Sequence, residues 1–166
     1  MEVHSIEIIF KALNDARVKY LVVGGLAVNV HGYERLTVDV DLVISLQPEN
    51  IKGALRALEA VGYQMSIPAT PEEFARPELR ESWRKEKNML VLRLWSDAHR
   101  RTPIDVFVYE PFDFEKEFAQ AKWEPVIGDI RAPVIRYETL LAMKTQAGRD
   151  KDLMDIRALK KLDPYR

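Results

Sequence analysis

At 166 residues the chain is long enough for one domain with a real core and too short for two independent ones. Its 47% hydrophobic content excludes intrinsic disorder, and a net charge of −1, from 25 basic and 26 acidic residues, excludes a general charge-driven nucleic-acid binder while leaving room for a local basic cleft. There is no cysteine, so disulfides, thiol catalysis and cysteine-ligated zinc are out, and the three histidines (His4, His31 and His99) are too scattered to suggest a metal cluster by themselves.

The longest apolar stretch, 21–28, contains two glycines and falls far below the ~20 residues that span a bilayer. Glu2, His4 and Glu7 come where a signal peptide would place its apolar core. The chain therefore reads as a cytoplasmic single domain, 1–166, with no membrane partner. Ile6, Ile9, Phe10 and Leu13 recur at helical spacing and predict a helix over 5–16, with Ser5 as N-cap. The β-branched run 19–23 predicts a strand that ends in a tight turn at Gly24-Gly25, and 26–31 a short helix broken near Gly32. A strand over 37–45 follows, then a helix over 48–61 with Pro48 in its first turn and Gly62 after its last.

Residues 71–85 predict a charged helix. Two strands, 89–95 and 104–109, flank the polar loop 96–102. A helix over 112–122 leads to a hairpin over 123–135 that turns at Gly128-Asp129, and two helices, 137–147 and 150–162, meet at Gly148. Strands interleaved with helices make an α/β (α+β) fold, a mixed central β-sheet flanked by helices.

Asp39 and Asp41 stand on one face of the 37–45 strand, and Val38, Val40, Leu42 and Ile44 on the other. Two carboxylates roughly 7 Å apart on a half-buried strand repel each other, and burial raises their pKa values. Either the strand faces solvent or a divalent cation such as Mg²⁺ relieves the conflict through carboxylate oxygens. Asp105, the one charge in the apolar run Pro103 to Val108, poses the same problem and has the same two outlets: an ion pair with a neighbouring Lys or Arg, or coordination beside Asp39 and Asp41. Gly24-Gly25 allows close backbone approach to a ligand, although both the dinucleotide and the Walker spacings fail. Asp150 and Asp152 fit a helix start, where capping alone explains them, and Lys151 and Asp155 stand four apart on the same helix.

Together these pieces resemble the nucleotidyltransferase superfamily, the polymerase-beta-like fold. The shared pattern is Val23-Gly24-Gly25, thirteen residues, then Asp39-Val40-Asp41-Leu42, with a later apolar-Asp-apolar triplet at Ile104-Asp105-Val106. The wording from Gly24 to Asp41, with Lys144, Arg149-Asp150-Lys151-Asp152 and Asp155-Ile156 further on, resembles the branch of abortive-infection, AbiEii-type toxin nucleotidyltransferases. The resemblance spans about residues 20–160. Gly25 stands where many members carry serine, and the Gly-Ser-Ala-Arg-Gly wording of minimal nucleotidyltransferases is absent.

That resemblance implies transfer of a nucleoside monophosphate from a nucleoside triphosphate to an acceptor hydroxyl. Asp39, Asp41 and Asp105 would bind two Mg²⁺ ions (or Mn²⁺) and, with Lys144, carry catalysis. Gly24, Gly25, Thr37, Lys144, Arg149 and Asp152 would bind the nucleotide, and the helices over 137–162 would complete its cleft. The implied partners are a tRNA or protein acceptor and an antitoxin protein. The alternatives are nucleotidylation of a small molecule such as an antibiotic, or a non-catalytic member that binds nucleotide or a partner. From the residues alone, Thr37 also reads as a β-forming surface threonine, Lys144 as a solvated helix lysine and His31 as a packing residue. The Arg100-Arg101 pair could meet a nucleic-acid acceptor from its exposed loop.

Overall fold

A computed structural model describes residues 1–162; the last four residues of the expected domain lie outside the described residues. In chain order the elements are α1 (Val3–Asp15), β1 (Tyr20–Val23), α2 (Gly24–Val30), β2 (Val40–Ile44), α3 (Pro48–Ala60), β3 (Gln64–Met65), α4 (Pro71–Phe74), α5 (Pro77–Lys87), β4 (Val91–Trp95), β5 (Ile104–Phe107), α6 (Phe114–Gln120), β6 (Lys122–Ile127), β7 (Ile130–Val134), α7 (Tyr137–Ala147) and α8 (Asp150–Leu162). The strands form one mixed seven-stranded sheet in the order β3-β4-β5-β2-β1-β7-β6. β2 runs parallel to β5 and β1 parallel to β7; the other pairs are antiparallel. The expected mixed sheet flanked by helices is therefore the architecture found.

Strand composition follows position in the sheet. Every residue of central β1 is fully buried, as is every residue of β2 except Asp41. Such a continuous apolar run belongs to a strand covered on both faces. Against it packs the apolar stripe of α1, Ile6, Ile9, Phe10 and Leu13, with Ile51, Leu55 and Leu58 of α3. No helix among the described residues is long and apolar enough to cross a membrane.

Four local expectations fail for identifiable reasons. Ser5 is not an N-cap: α1 begins at Val3 behind Glu2, and Ser5 is buried, its Oγ 2.9 Å from His99 Nδ1. The expected 71–85 helix is two helices, because Pro77 excludes the helical conformation at Arg76 and forces a restart; Thr70 Oγ1 caps the first piece by accepting the Glu73 N–H at 3.1 Å. β2 begins at Val40, since the ladder starts where β5 does, with the Val40 N–H donating to the Pro103 carbonyl at 3.0 Å. Val38 is consequently exposed instead of facing the core. The two-residue β3 was not expected, being too short to show a period.

Burial assigns stability to β2 and not to the segment before it. Leu42→Ala, at a fully buried position, is expected to cost about 2–5 kcal/mol in denaturant unfolding. Leu36→Ala, at a position 87% exposed, is expected to stay within about 0.5 kcal/mol of the parent.

Candidate active site

The sheet register builds the site. Val23 lies opposite Asp41 across β1 and β2, Asp41 opposite Asp105 across β2 and β5, and Asp105 opposite Arg93 across β5 and β4. Registered neighbours point to the same face, so Arg93, Asp105 and Asp41 form a lateral row spaced by the ~4.8 Å between strands. Asp39, two residues before Asp41, joins the same face. One carboxylate oxygen from each of Asp39, Asp41 and Asp105 lies within 4.8 Å of the other two, a set that could hold a metal ion. The adjacency of β2 and β5 is what brings a residue from the middle of the chain beside the pair near its start.

Asp41 carries the strain of this arrangement. Burial, then the neighbouring charges of Asp39 and Asp105, push its pKa up to about 7, against the partial relief of the Lys144 charge and a hydrogen bond from the Gly25 backbone N–H. The glycine pair is tied to the same carboxylate. Gly24 has φ +63°, and a Cβ there would sit 2.0 Å from Asp41 Oδ2. A Cβ on Gly25 would sit 2.4 Å from Thr37 Oγ1. Both glycines thus make room for side chains of the cluster, a reason not visible in their spacing. Thr37 is buried against Gly25 and is not a surface threonine.

Two groups of cations border the triad. Arg93 donates from Nε to Asp105 Oδ1 at 2.8 Å, and from Nη2 to Asp105 Oδ2 at 2.7 Å and Asp39 Oδ2 at 2.8 Å. Its guanidinium pKa rises further through these partners, chiefly the hydrogen bonds to Asp105. The second group gathers around two buried aspartates of α8. Lys144 Nζ lies 3.1 Å from Asp152 Oδ1 and 2.9 Å from Asp155 Oδ2. Arg149 binds Asp152 from Nε at 2.7 Å, and Arg35 grips Asp155 with Nε at 2.7 Å and Nη2 at 2.8 Å. Hydrogen bonds and charges from these cations outweigh burial and hold both aspartates below the usual carboxylate range.

The structure thus brings together Asp39, Asp41, Asp105, Gly24, Gly25 and Thr37, with the Lys144 charge felt at Asp41. Lys144 is buried and not a solvated helix lysine, and Asp152 does more than cap α8: it is fully enclosed between Lys144 and Arg149. Asp155 pairs with Arg35 and Lys144 instead of Lys151. Asp105 has found an arginine, as the ion-pair alternative expected, while standing in the carboxylate cluster. His31 is a packing residue, its Nε2 2.8 Å from the Ile135 carbonyl oxygen and its ring edge-on to Tyr137. Arg100 and Arg101 are exposed, near Asp97 and Glu2. Arg93 and Arg35 were missed. Arg93 carried the same signal as Asp105, a lone charge in an alternating apolar strand; Arg35, in an irregular segment, carried none.

With this geometry in view, comparison with known proteins gives two kinds of match. Residues 9–165 match the family described as nucleotidyl transferase AbiEii toxin of type IV toxin–antitoxin systems. The chain belongs to this family. No curated protein matches the AbiEii-family chain. Among solved structures it is similar to the lincosamide antibiotic adenylyltransferase LnuA bound to lincomycin, at 17% identity and TM-score 0.57 over 89% of each chain. It is also similar to JHP933 from Helicobacter pylori, at 15% identity and TM-score 0.54, over 96% of this chain and 66% of that one. At these identities the structural likeness speaks for a shared fold. Family and fold together support nucleotidyl transfer, the activity that the resemblance implied.

Two measurements probe the electrostatics. Asp41 is ionised in the unfolded chain above its ordinary pKa of 3.8 but in the folded one only above about 7. Metal-free stability is therefore lost as pH rises between these values, by at most about 4 kcal/mol at ~1.4 kcal/mol per pH unit. Asp152 and Asp155 act oppositely, losing their contribution as pH falls through the acid range. Thermal unfolding in chelator should show a stability maximum near about pH 4, and Asp41→Asn should flatten its alkaline side. Lys144→Met is expected to destabilise by about 3 kcal/mol, because Asp152 and Asp155 stay buried with a cation removed; Arg149→Ala, at a side chain 61% exposed, should cost about 1 kcal/mol or less.

Proposed function

We propose that this AbiEii-family chain is a metal-dependent nucleotidyltransferase that moves a nucleoside monophosphate from a nucleoside triphosphate to an acceptor hydroxyl. The observation that carries this reading is the convergence of Asp39, Asp41 and Asp105 on one face of the sheet beside the Gly24-Gly25 turn.

The residues fit a hard divalent cation. The donor set is all oxygen, as Mg²⁺ and Mn²⁺ prefer. Burial and then the adjoining charges of Asp39 and Asp105 raise the pKa of Asp41, and Arg93 already places a positive group against two of the carboxylates. Asp39, Asp41 and Asp105 would hold the cations, two by the resemblance. Bound there, divalent cations would neutralise triphosphate charge and favour ionisation of the acceptor hydroxyl.

This chain's own groups supply position and charge. Gly24 and Gly25 keep side chains away from the backbone where the triphosphate would lie, with the Thr37 hydroxyl beside it. Arg149, paired on one side and exposed on the other, is placed to meet phosphate oxygens. Lys144 is a fixed positive charge near Asp41, and Asp152 and Asp155 act through the cations that they hold. α7 and α8 would in this way form one wall of the nucleotide cleft. The acceptor oxygen forms a bond to the α-phosphorus, the bond to the bridging oxygen breaks and pyrophosphate leaves; positioning and preorganised charge provide most of the acceleration.

The family's description as a toxin supports, as the acceptor proposed, a macromolecule of the cytoplasm, a tRNA end or a protein side chain, with an antitoxin protein as the restraining partner. The antibiotic acceptor of LnuA belongs to that protein.

Incubation with each α-labelled nucleoside triphosphate, Mg²⁺, total tRNA and cell protein should label one macromolecular class; label confined to added small hydroxylated antibiotics would overturn the toxin acceptor. Asp41→Asn should lower transfer by several orders of magnitude, since a lost ligand removes several kcal/mol and each ~1.4 kcal/mol is tenfold. Its metal-free melting temperature should hold or rise. Normal turnover by Asp41→Asn would overturn the metal assignment.

A further inference from the structure

Arg93 borders the carboxylate cluster and holds two of its three members. Its three hydrogen bonds, between 2.7 and 2.8 Å, engage both oxygens of Asp105 and one of Asp39. A guanidinium in that position has two effects on an arriving divalent cation. It occupies oxygens that the cation needs, and its charge repels the cation. Asp41 alone of the three carboxylates has no bond from Arg93 and bears the strain instead.

Not every cation of the site can move. The Lys144 side chain is 7% exposed and its partners Asp152 and Asp155 are 0% and 2% exposed, so its departure would strand two buried carboxylates. The Arg93 side chain is 49% exposed, so the guanidinium can turn toward solvent; its partners Asp105 and Asp39 are 10% and 30% exposed and need another cation in its place. A planar guanidinium also binds two oxygens of a phosphate as well as two of a carboxylate. A bare metal ion can offer Arg93 no new partner. A metal–triphosphate complex brings one with it.

We infer that Arg93 is an internal counter-cation that holds Asp39 and Asp105 until a metal–triphosphate complex arrives, and then exchanges these carboxylates for phosphate oxygens. The inference rests on the metal reading of the triad. It makes Arg93 a positioning residue that orders loading: metal alone binds weakly, nucleotide strengthens metal binding, and by linkage metal strengthens nucleotide binding to the same degree. Without metal the same residue keeps the triad gathered, limiting the repulsion that would spread it.

The test uses Mn²⁺ binding to the whole chain, followed by electron paramagnetic resonance and calorimetry. Each measurement is made alone and with the non-transferable α,β-methylene analogues of ATP, GTP, CTP and UTP. The parent should bind Mn²⁺ weakly alone and at least tenfold more tightly with the accepted analogue. Arg93→Gln should bind Mn²⁺ alone at least tenfold more tightly than the parent, should lose most of the gain from nucleotide, and should melt lower in chelator with recovery in Mn²⁺. Arg93→Lys, which keeps the charge but cannot span two carboxylates, should lie between them and serves where the glutamine variant does not fold. Equal or weaker Mn²⁺ binding by both variants would overturn the exchange while leaving the metal site standing. No Mn²⁺ binding by any of these proteins, with or without analogue, would overturn the metal reading itself.

Discussion

Three carboxylates held within 4.8 Å of one another repel, and much of the local structure answers that repulsion. Two strands in parallel register force Asp41 and Asp105 together, and the short step back to Asp39 adds the third. Around them, the five carboxylates of the site (Asp39, Asp41, Asp105, Asp152 and Asp155) face four cations, Arg35, Arg93, Lys144 and Arg149. One negative charge is left over. Asp41 is the acid without an ion-pair partner, and burial first, then the charges of Asp39 and Asp105, push its pKa up to about 7.

The cations divide by burial, and the division gives them different tasks. Lys144, locked between two enclosed aspartates, is a fixed charge that acts on Asp41. Such a buried network is weak evidence for stability but strong evidence for a fixed geometry, since removal of either partner leaves a charge without water. Arg93, half in solvent, holds the buried Asp105 and the partly exposed Asp39 with good geometry. The glycines complete the contrast. Their absent side chains are filled by Asp41 and Thr37, so the close approach built into the first turn of α2 serves the protein's own acid before any ligand.

The parts of this site that were legible in the sequence are those in which one strand contradicts itself. Asp41 within Val40–Ile44 and Asp105 within Ile104–Phe107 break an apolar run, and alternation states which face they share. That β2 neighbours β5 is a matter of sheet order, which no local pattern encodes; the family wording supplied it. Arg93 needed the β4–β5 register before its role as partner could be seen, although its isolation in Val-Leu-Arg-Leu-Trp was plain. Arg35 had no signal because residues 33–38 have no period, and its partner Asp155 looked like an ordinary helix-surface acid. Proline was the better guide to breaks than charge was to continuity, as the division at Pro77 shows.

The pair Arg35–Asp155 joins positions 120 residues apart, and Lys144 finds both of its acids only in α8. These cations therefore cannot be ordered before α8 is made. While the chain emerges from the ribosome, β1, β2 and α3 can collapse on α1, and the acid triad can gather once β5 has joined β2. Until α8 follows, Lys144 and Arg35 lack the carboxylates that hold them in place. A chain without α8 would thus gather the three acids at β2 and β5 without the buried carboxylates that order the cations beside them.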